Sequence, residues 1–173
     1  MIKPTPEELP KLAKESYAET KKYFQNLKKR QQKRLDPLMQ ELHEKEFAKT
    51  DCLDCGNCCK TSSPIVTEKD IQRISKHLKM KERDFIKHHL ERDEDDFYVM
   101  QKVPCTFLDT DNSCFIYDVR PKSCREYPHT DRKKFIQITD LTLQNIEICP
   151  ATYNIIEALK KRLPLVSKEK KRI

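Results

Sequence analysis

Several features are scarce in this 173-residue chain: it has no tryptophan, a single glycine and no long hydrophobic run. One glycine excludes a glycine-rich nucleotide-binding loop, because such a loop needs several. No apolar stretch exceeds about four residues, whereas a membrane-spanning helix needs about twenty, so no membrane span is expected. The first residues form no apolar signal-peptide core. We therefore expect a cytoplasmic protein, in which thiols stay reduced.

Polar residues and cysteines stand out among what is present. Hydrophobic and charged residues each make up 36% of the chain, so a core built from apolar packing alone would be thin. The chain also contains eight cysteines. In a reducing compartment, an even set of cysteines indicates metal ligands or redox thiols rather than disulfides.

The net charge of +7 is unevenly distributed. Residues 1–50 carry twelve basic and eight acidic side chains, residues 51–150 carry sixteen and eighteen, and residues 151–173 carry seven and two. All eight cysteines lie in the acidic middle region. Proteins that bind nucleic acid concentrate Lys and Arg on the module that docks, so nucleic acid is not an expected partner. The basic arms could bind an acidic protein partner, but a solvated helical face is the favoured interpretation.

Hydrophobic periodicity predicts a mainly helical α+β protein. Asp36 is expected to cap the second helix, and Thr67 and Asp70 are expected to form a capping box on the third. The predicted helices are 7–35, 37–48, one opened by Thr67, about 82–91, and one that begins at Pro150. The predicted short extended segments are 97–100, 105–108, 113–116 and 135–137.

The chain divides by composition into three parts, which we expect to form one structural unit. They are a helical N-terminal arm (1–50), a small cysteine-cluster metal-binding domain with short strands (51–150), and a closing helix with a basic tail (151–173). Because apolar residues are few, we expect metal binding to stabilise the middle domain. A metal ion is therefore the principal expected partner.

The strongest chemical pattern is the run Cys52-Leu53-Asp54-Cys55-Gly56-Asn57-Cys58-Cys59. Two residues between two cysteines let both sulfurs reach one tetrahedral ion, and here two such pairs overlap. The only glycine lies inside this loop, where a backbone that wraps a metal often needs a positive φ. Cys58 and Cys59 are adjacent, so either one of them serves a second centre or a local turn brings both to one.

The remaining four cysteines are spread along the chain, at Cys105, Cys114, Cys124 and Cys149. Arg120, Lys122 and Arg125 flank the third of them and are candidates to stabilise a bound thiolate. Among the five histidines, His129 alone is near enough to a cysteine motif to serve as a reserve ligand. Unrelated buried cysteines are the alternative, but core cysteines have no reason to adopt metal-ligand spacing.

This pattern resembles the CxxCxxCC cysteine-cluster family of zinc- or iron-chelating proteins. The motifs are Cys-x-x-Cys-Gly-x-Cys-Cys, Pro-Cys-x-Phe-Leu, Cys-x-Ile-Tyr, Arg-Pro-x-x-Cys-Arg-x-Tyr-Pro and Cys-Pro. The resemblance covers residues 51–150 and leaves out the arm of residues 1–50. It implies a metal-chelating domain with eight candidate ligands: Cys52, Cys55, Cys58, Cys59, Cys105, Cys114, Cys124 and Cys149.

Three functions remain open at this point. The first is a metal-binding protein that holds zinc or iron in a structural or metal-handling role. The second is an iron–sulfur protein that transfers electrons or supports an enzyme, and the third is an interaction module with basic arms. No catalytic constellation is visible, so non-enzymatic metal binding is favoured. The Cys-x-x-Cys-x-x-Cys spacing and the Cys149-Pro150 pair resemble a ferredoxin, whereas paired Cys-x-x-Cys motifs equally suit zinc, which we favour slightly.

Overall fold

A computed structural model describes residues 4–30 and 33–165, which fold into two compact units. One unit draws its residues from 1–50 and 128–173, and the other comprises 51–127. The helices are α1 (Leu9–Arg30), α2 (Leu35–Phe47), α3 (Cys52–Cys55), α4 (Asn57–Thr61), α5 (Glu68–His77), α6 (Glu82–His89), α7 (Lys122–Glu126), α8 (Thr139–Ile148) and α9 (Pro150–Arg162). The strands are β1 (Leu90–Arg92) and β2 (Tyr98–Met100), and 3₁₀ helices cover Tyr117–Val119 and Phe135–Ile138.

The expectation of a mainly helical α+β fold is confirmed. Over the residues that the structure describes, the only sheet is the antiparallel pair of β1 and β2. Leu90 pairs with Met100 and Arg92 with Tyr98 in this sheet. In the same described ranges, no helix has both the length and the apolar character needed to cross a membrane.

The first unit is a bundle of α1, α2, α8 and α9 around an apolar core. The four- and three-residue spacing of Ala13, Tyr17, Thr20, Phe24, Leu27 and Gln31 predicts that these residues form the inward stripe of the first helix. The structure confirms it at Ala13, Thr20, Phe24 and Leu27, whereas Tyr17 is 42% exposed. Gln31, the last residue of that stripe, lies outside the described residues. The core residues of the bundle are Ala13, Tyr23, Phe24, Leu27, Leu35, Met39, Leu42, Phe135, Ile138, Leu143, Ile146, Ile155, Ile156 and Leu159.

Three predictions for this unit are wrong, and one helix was not predicted. The first helix does not reach residue 35, because residues 33–34 form a turn and α2 begins at Leu35. Asp36 does not cap α2, which begins one residue earlier and has Asp36 in its first turn. The segment 135–137 is a 3₁₀ helix rather than a strand. Helix α8 escaped prediction because Thr139, Thr142 and Asn145 are buried beside its apolar residues, and buried polar residues hide the helical hydrophobic period.

The carboxylate of Asp36 has a different role from the predicted one. It accepts the backbone N–H groups of Lys134 at 2.6 Å and Phe135 at 3.1 Å. Lys134 has a positive φ of 59°, and Phe135 begins the 3₁₀ helix and is completely buried. Asp36 thus fixes the start of the segment that leads into α8.

The unit of residues 51–127 packs α5, α6 and the two-stranded sheet around a smaller core. The capping box on α5 is confirmed, because the Thr67 and Asp70 side chains each accept the other's backbone N–H. The extended segment predicted at 97–100 is confirmed at β2, whereas 105–108 and 113–116 form one isolated bridge, between Leu108 and Cys114. The core residues are Val66, Ile71, Ile74, Phe85, Leu90, Met100, Phe107 and Ile116.

Asp36→Ala should destabilise the first unit by about 1–3 kcal/mol, because two backbone N–H groups lose an ionised acceptor. Asp36→Asn, which keeps one acceptor oxygen, should cost less. Urea denaturation of the full chain, followed by circular dichroism, measures both. Asp140→Ala is the control, since Asp140 is exposed and its 3.3 Å ion pair with Lys28 lies at the surface. Equal effects of Asp36→Ala and Asp140→Ala would contradict the assigned role.

Candidate metal centre

A left-handed glycine joins the two short helices that carry the first four cysteines. Asp51 caps α3 by accepting the N–H of Leu53 at 2.9 Å. Gly56 has φ 58° and donates its N–H to the carbonyl of Cys52 at 2.9 Å, which ends α3. The next residue begins α4. A Cβ at residue 56 would lie 2.9 Å from Oδ1 of Asn112, so the position requires glycine for its φ and for the close approach.

The turn into α4 places the adjacent cysteines on one short helix. The Sγ atoms of Cys58 and Cys59 lie 4.0 Å apart. A tetrahedral site with metal–sulfur bonds of about 2.3 Å separates its sulfurs by about 3.8 Å. The distance between these two sulfurs is therefore close to that of two ligands of one ion.

Three distant cysteines approach this pair within the same unit. The N–H of Cys105 donates to the carbonyl of Cys59 at 2.8 Å. An isolated β-bridge pairs Cys114 with Leu108, three residues after Cys105. Cys124 lies on α7, near enough to Cys59, Cys105 and Cys114 for their charges to raise the pKa of its thiol. The structure thus brings together five of the eight predicted ligands: Cys58, Cys59, Cys105, Cys114 and Cys124.

The thiols of this cluster differ strongly in how readily they ionise. A hydrogen bond from the Cys58 thiol lowers the pKa of Cys59 to about 7, against the opposing effect of burial. Burial raises the pKa of Cys105 and that of Cys114, and the charge of Cys59 raises both further. Burial and the charges of the other three raise the pKa of Cys124 to about 12. One thiolate is therefore favoured and further ones are opposed.

Two basic residues contribute positive charge to the cluster. Lys60 donates from Nζ to the carbonyl of Cys55 at 3.1 Å, and its charge lowers the pKa of Cys59. The guanidinium of Arg120 lies 3.8 Å from the centre of the Tyr117 ring and donates to the Tyr117 carbonyl at 2.6 Å. Its charge lowers the pKa of both Cys59 and Cys114. Lys60 was not among the predicted residues, although its position next to Cys59 is visible in the sequence.

The other predicted residues are placed differently. Cys52 is exposed and Cys55 partly buried on α3, whereas Cys149 lies in the other unit, between α8 and α9. His129 also belongs to that unit. Taken over residues 4–30 and 33–165, no three histidine, cysteine or carboxylate side chains stand in an arrangement that could hold a metal ion as they are placed. The cluster is therefore a convergence of thiols rather than a completed ligand set.

The donor set of this cluster fits zinc or iron. Cysteine thiolates are ligands for both metals, and all eight cysteines are thiols rather than disulfides. The low pKa of Cys59 supplies one thiolate near neutral pH. The ligand assignment itself stays a prediction for each of the eight cysteines.

Comparisons with known proteins agree with the chemistry of the cluster. A family model with the description "CxxCxxCC: Putative zinc- or iron-chelating domain" matches residues 51–149, which is more than half of the chain and includes every cysteine. The uncharacterized protein MJ0661 of Methanocaldococcus jannaschii is 34% identical over 82 residues. That alignment covers 46% of this chain and 44% of the relative, so the chain spans less than half the length of this relative. No solved structure matches the chain.

Gly56→Ala should destabilise the unit of residues 51–127. A left-handed backbone costs a residue with a Cβ about 1–2 kcal/mol, and the contact with Asn112 adds to this. The matched background is Asn112→Gly, which removes the obstructing side chain at a residue that itself has φ 66°. Gly56→Ala should cost less in that background, as measured by a urea double-mutant cycle. Identical costs in both backgrounds would show that the contact has no energetic weight.

In metal-free protein, iodoacetamide should label Cys59 before Cys124 near pH 7. About half of Cys59 is ionised at its pKa of about 7, whereas Cys124, with a pKa of about 12, is almost wholly protonated. The labelling rate of Cys59 should rise with pH between about 6 and 8, and Arg120→Gln should shift that rise to higher pH. Mass spectrometry of the digested protein measures this order, and faster labelling of Cys124 would refute it.

Proposed function

Because the chain belongs to the CxxCxxCC family, we propose that it binds a metal ion through the thiolates of its cysteine cluster. We further propose zinc as the metal of the protein isolated in air, and a structural or metal-handling role. The observation that carries the proposal is the meeting of the vicinal pair Cys58 and Cys59 with Cys105, Cys114 and Cys124.

The electrostatics of the cluster support a cation as its ligand. Each ionised thiol in this partly buried place raises the cost of ionising the next, and the charges of Cys59, Cys105 and Cys114 add to the effect of burial in raising the pKa of Cys124. A divalent cation reverses that relation, since a thiol that coordinates a metal is deprotonated outright. When bound, zinc would act as a Lewis acid that neutralises the thiolates and cross-links the segments that carry them.

The proposal requires the sulfurs to move closer than the structure places them. Cys58 and Cys59 already have a separation close to that of two ligands, so the adjustment falls on Cys105, Cys114 and Cys124. Side chains of cysteine rotate about one bond, which makes such an adjustment local. Cys52, Cys55 and Cys149 are proposed as further ligands because the family motif includes them, and His129 remains a reserve ligand.

An iron–sulfur centre is the second candidate. Cys52, Cys55 and Cys58 have the spacing with which ferredoxins hold three corners of a four-iron cluster, and Cys149 precedes a proline as their fourth cysteine does. Against this, the Cys-Pro pair comes about ninety residues later, whereas the ferredoxin motif keeps it within a few residues. Anaerobic purification separates the candidates, because an iron–sulfur protein is brown and a zinc protein is colourless.

The purified protein should contain at least about one equivalent of zinc, and zinc added to the metal-free form should release about three protons or more at pH 7. The reason is that Cys105, Cys114 and Cys124 have pKa values above that of an ordinary thiol and are protonated before binding. Elemental analysis gives the metal content, and calorimetry in buffers of different ionisation enthalpy gives the proton count.

Cys114→Ser and Ser113→Ala are the matched variants for this experiment. The first removes one proposed thiolate and should reduce both the affinity and the proton release, whereas the second alters the neighbouring residue and should change neither. Less than about half an equivalent of both zinc and iron, with all thiols freely titratable, would overturn the proposed function.

A further inference from the structure

Asp70 is a buried carboxylate with more partners than its capping role needs. Its side chain is 1% exposed. Oδ2 accepts the N–H and the hydroxyl of Thr67 at 3.0 and 2.6 Å, which completes the capping box of α5. Oδ1 accepts Nη2 of Arg73 at 2.5 Å and the backbone N–H of Lys122 at 3.1 Å. The last of these bonds joins residues that are 52 positions apart in the chain.

Arg73 binds the same distant segment from the other side of the ion pair. Its Nη2 donates to the carbonyl of Arg120 at 2.9 Å, and Nη2 and Nε both donate to the carbonyl of Val119 at 3.3 Å. Asp70 and Arg73 therefore bind two carbonyls and one N–H within four consecutive residues, 119–122. A carboxylate accepts and a guanidinium donates, so only one register of this segment satisfies all three groups.

That segment leads directly into α7, the helix that carries Cys124. The helix has five residues and no side-chain cap of its own, and the N–H of its first residue, Lys122, is the one that Asp70 accepts. The segment also carries Arg120, whose guanidinium lies over Tyr117 beside the cluster. Asp70 and Arg73 therefore hold the backbone from which the helix of Cys124 starts.

We propose that Asp70 and Arg73 are positioning residues of the metal centre, which hold residues 119–122 in one register and so place Cys124 among the other thiols. The inference rests on the proposed function. Neither residue is a proposed ligand, and both act through the backbone of residues 119–122. Outer-shell contacts of this kind typically change metal affinity about 10–100-fold when they are removed.

Lys122→Pro is the sharpest test, because it removes the N–H that Asp70 accepts and leaves the ion pair of Asp70 and Arg73 intact. Proline suits the first position of a helix, and Pro121 already has the extended ψ of 150° that a following proline requires. Lys122→Ala is the matched control, since it loses the same side chain but keeps the N–H. Zinc affinity is measured in the full chain by competition with a chromophoric chelator.

We expect Lys122→Pro to weaken zinc binding about tenfold or more, with Lys122→Ala within about twofold of the unaltered protein. In the zinc-loaded Lys122→Pro protein, iodoacetamide should label Cys124 while Cys105 and Cys114 stay protected. The cobalt-substituted protein should lose about one thiolate's share of its charge-transfer absorption. A merely structural role would expose all the thiols together.

Arg73→Lys is the second variant, and it tests the same proposal if the Lys122→Pro protein does not fold. Lysine keeps the charge next to Asp70 but has no planar fork to bind a carboxylate and two carbonyls at once. Ile74→Val, a core change on the same helix, controls for a general loss of stability. Arg73→Lys should weaken zinc binding more than Ile74→Val does, again with selective labelling of Cys124.

Two results would overturn the inference: an unchanged zinc affinity in folded Lys122→Pro and Arg73→Lys proteins, or equal labelling of Cys105, Cys114 and Cys124. If the unaltered protein binds no metal, the proposed function fails and the positioning role is judged separately. Selective labelling of Cys124 in metal-free Lys122→Pro, relative to Lys122→Ala, then supports the role, and equal labelling rejects it.

Discussion

The unit of residues 51–127 is constrained by the repulsion between its thiolates. Several cysteines lie close together in a partly buried place, and each one that ionises adds a negative charge there. The hydrogen bond from Cys58 lowers the pKa of Cys59 to about 7, whereas burial and then the charges of Cys59, Cys105 and Cys114 raise the pKa of Cys124 to about 12. Hydrogen bonding from Cys58 and the charges of Lys60 and Arg120 stabilise one thiolate. Further thiolates need more positive charge than these side chains supply, and a divalent metal ion is the simplest source of it.

In both units, a carboxylate on a helix anchors the backbone of a segment that is distant in the sequence. Each contains a carboxylate in the first turn of a helix that accepts backbone N–H groups of a distant segment: Asp36 for Lys134 and Phe135, and Asp70 for Lys122. Burial acts to raise the pKa of Asp70, but its hydrogen bonds hold that pKa below the usual value, so the acceptor stays ionised. In a chain with 36% hydrophobic residues, such bonds fix loops that apolar packing alone would leave poorly determined.

Residues with a local signature could be predicted from the sequence, and residues that act across long separations could not. The capping box of Thr67 and Asp70 has a fixed three-residue spacing, and the need for glycine at position 56 follows from a turn between closely spaced cysteines. The bond from Lys122 to Asp70 spans 52 residues and leaves no trace in either local pattern. The same reason explains Asp36: an Asp-Pro pair predicts a cap, but its actual partners are 98 and 99 residues away.

The difference between the two cores gives the metal its proposed structural role. Across the described residues, the helical bundle buries fourteen apolar side chains in one cluster, whereas the cluster of the 77-residue unit 51–127 has eight. Domains of about 70–80 residues with a small apolar core usually need a disulfide, a metal or a partner to be stable. The cysteines of this unit are thiols, so no disulfide between them stabilises it. The small core of this unit links its cysteine-bearing segments only in part. A thiolate-bound ion would join these segments, which are α4, the segments of Cys105 and Cys114, and α7.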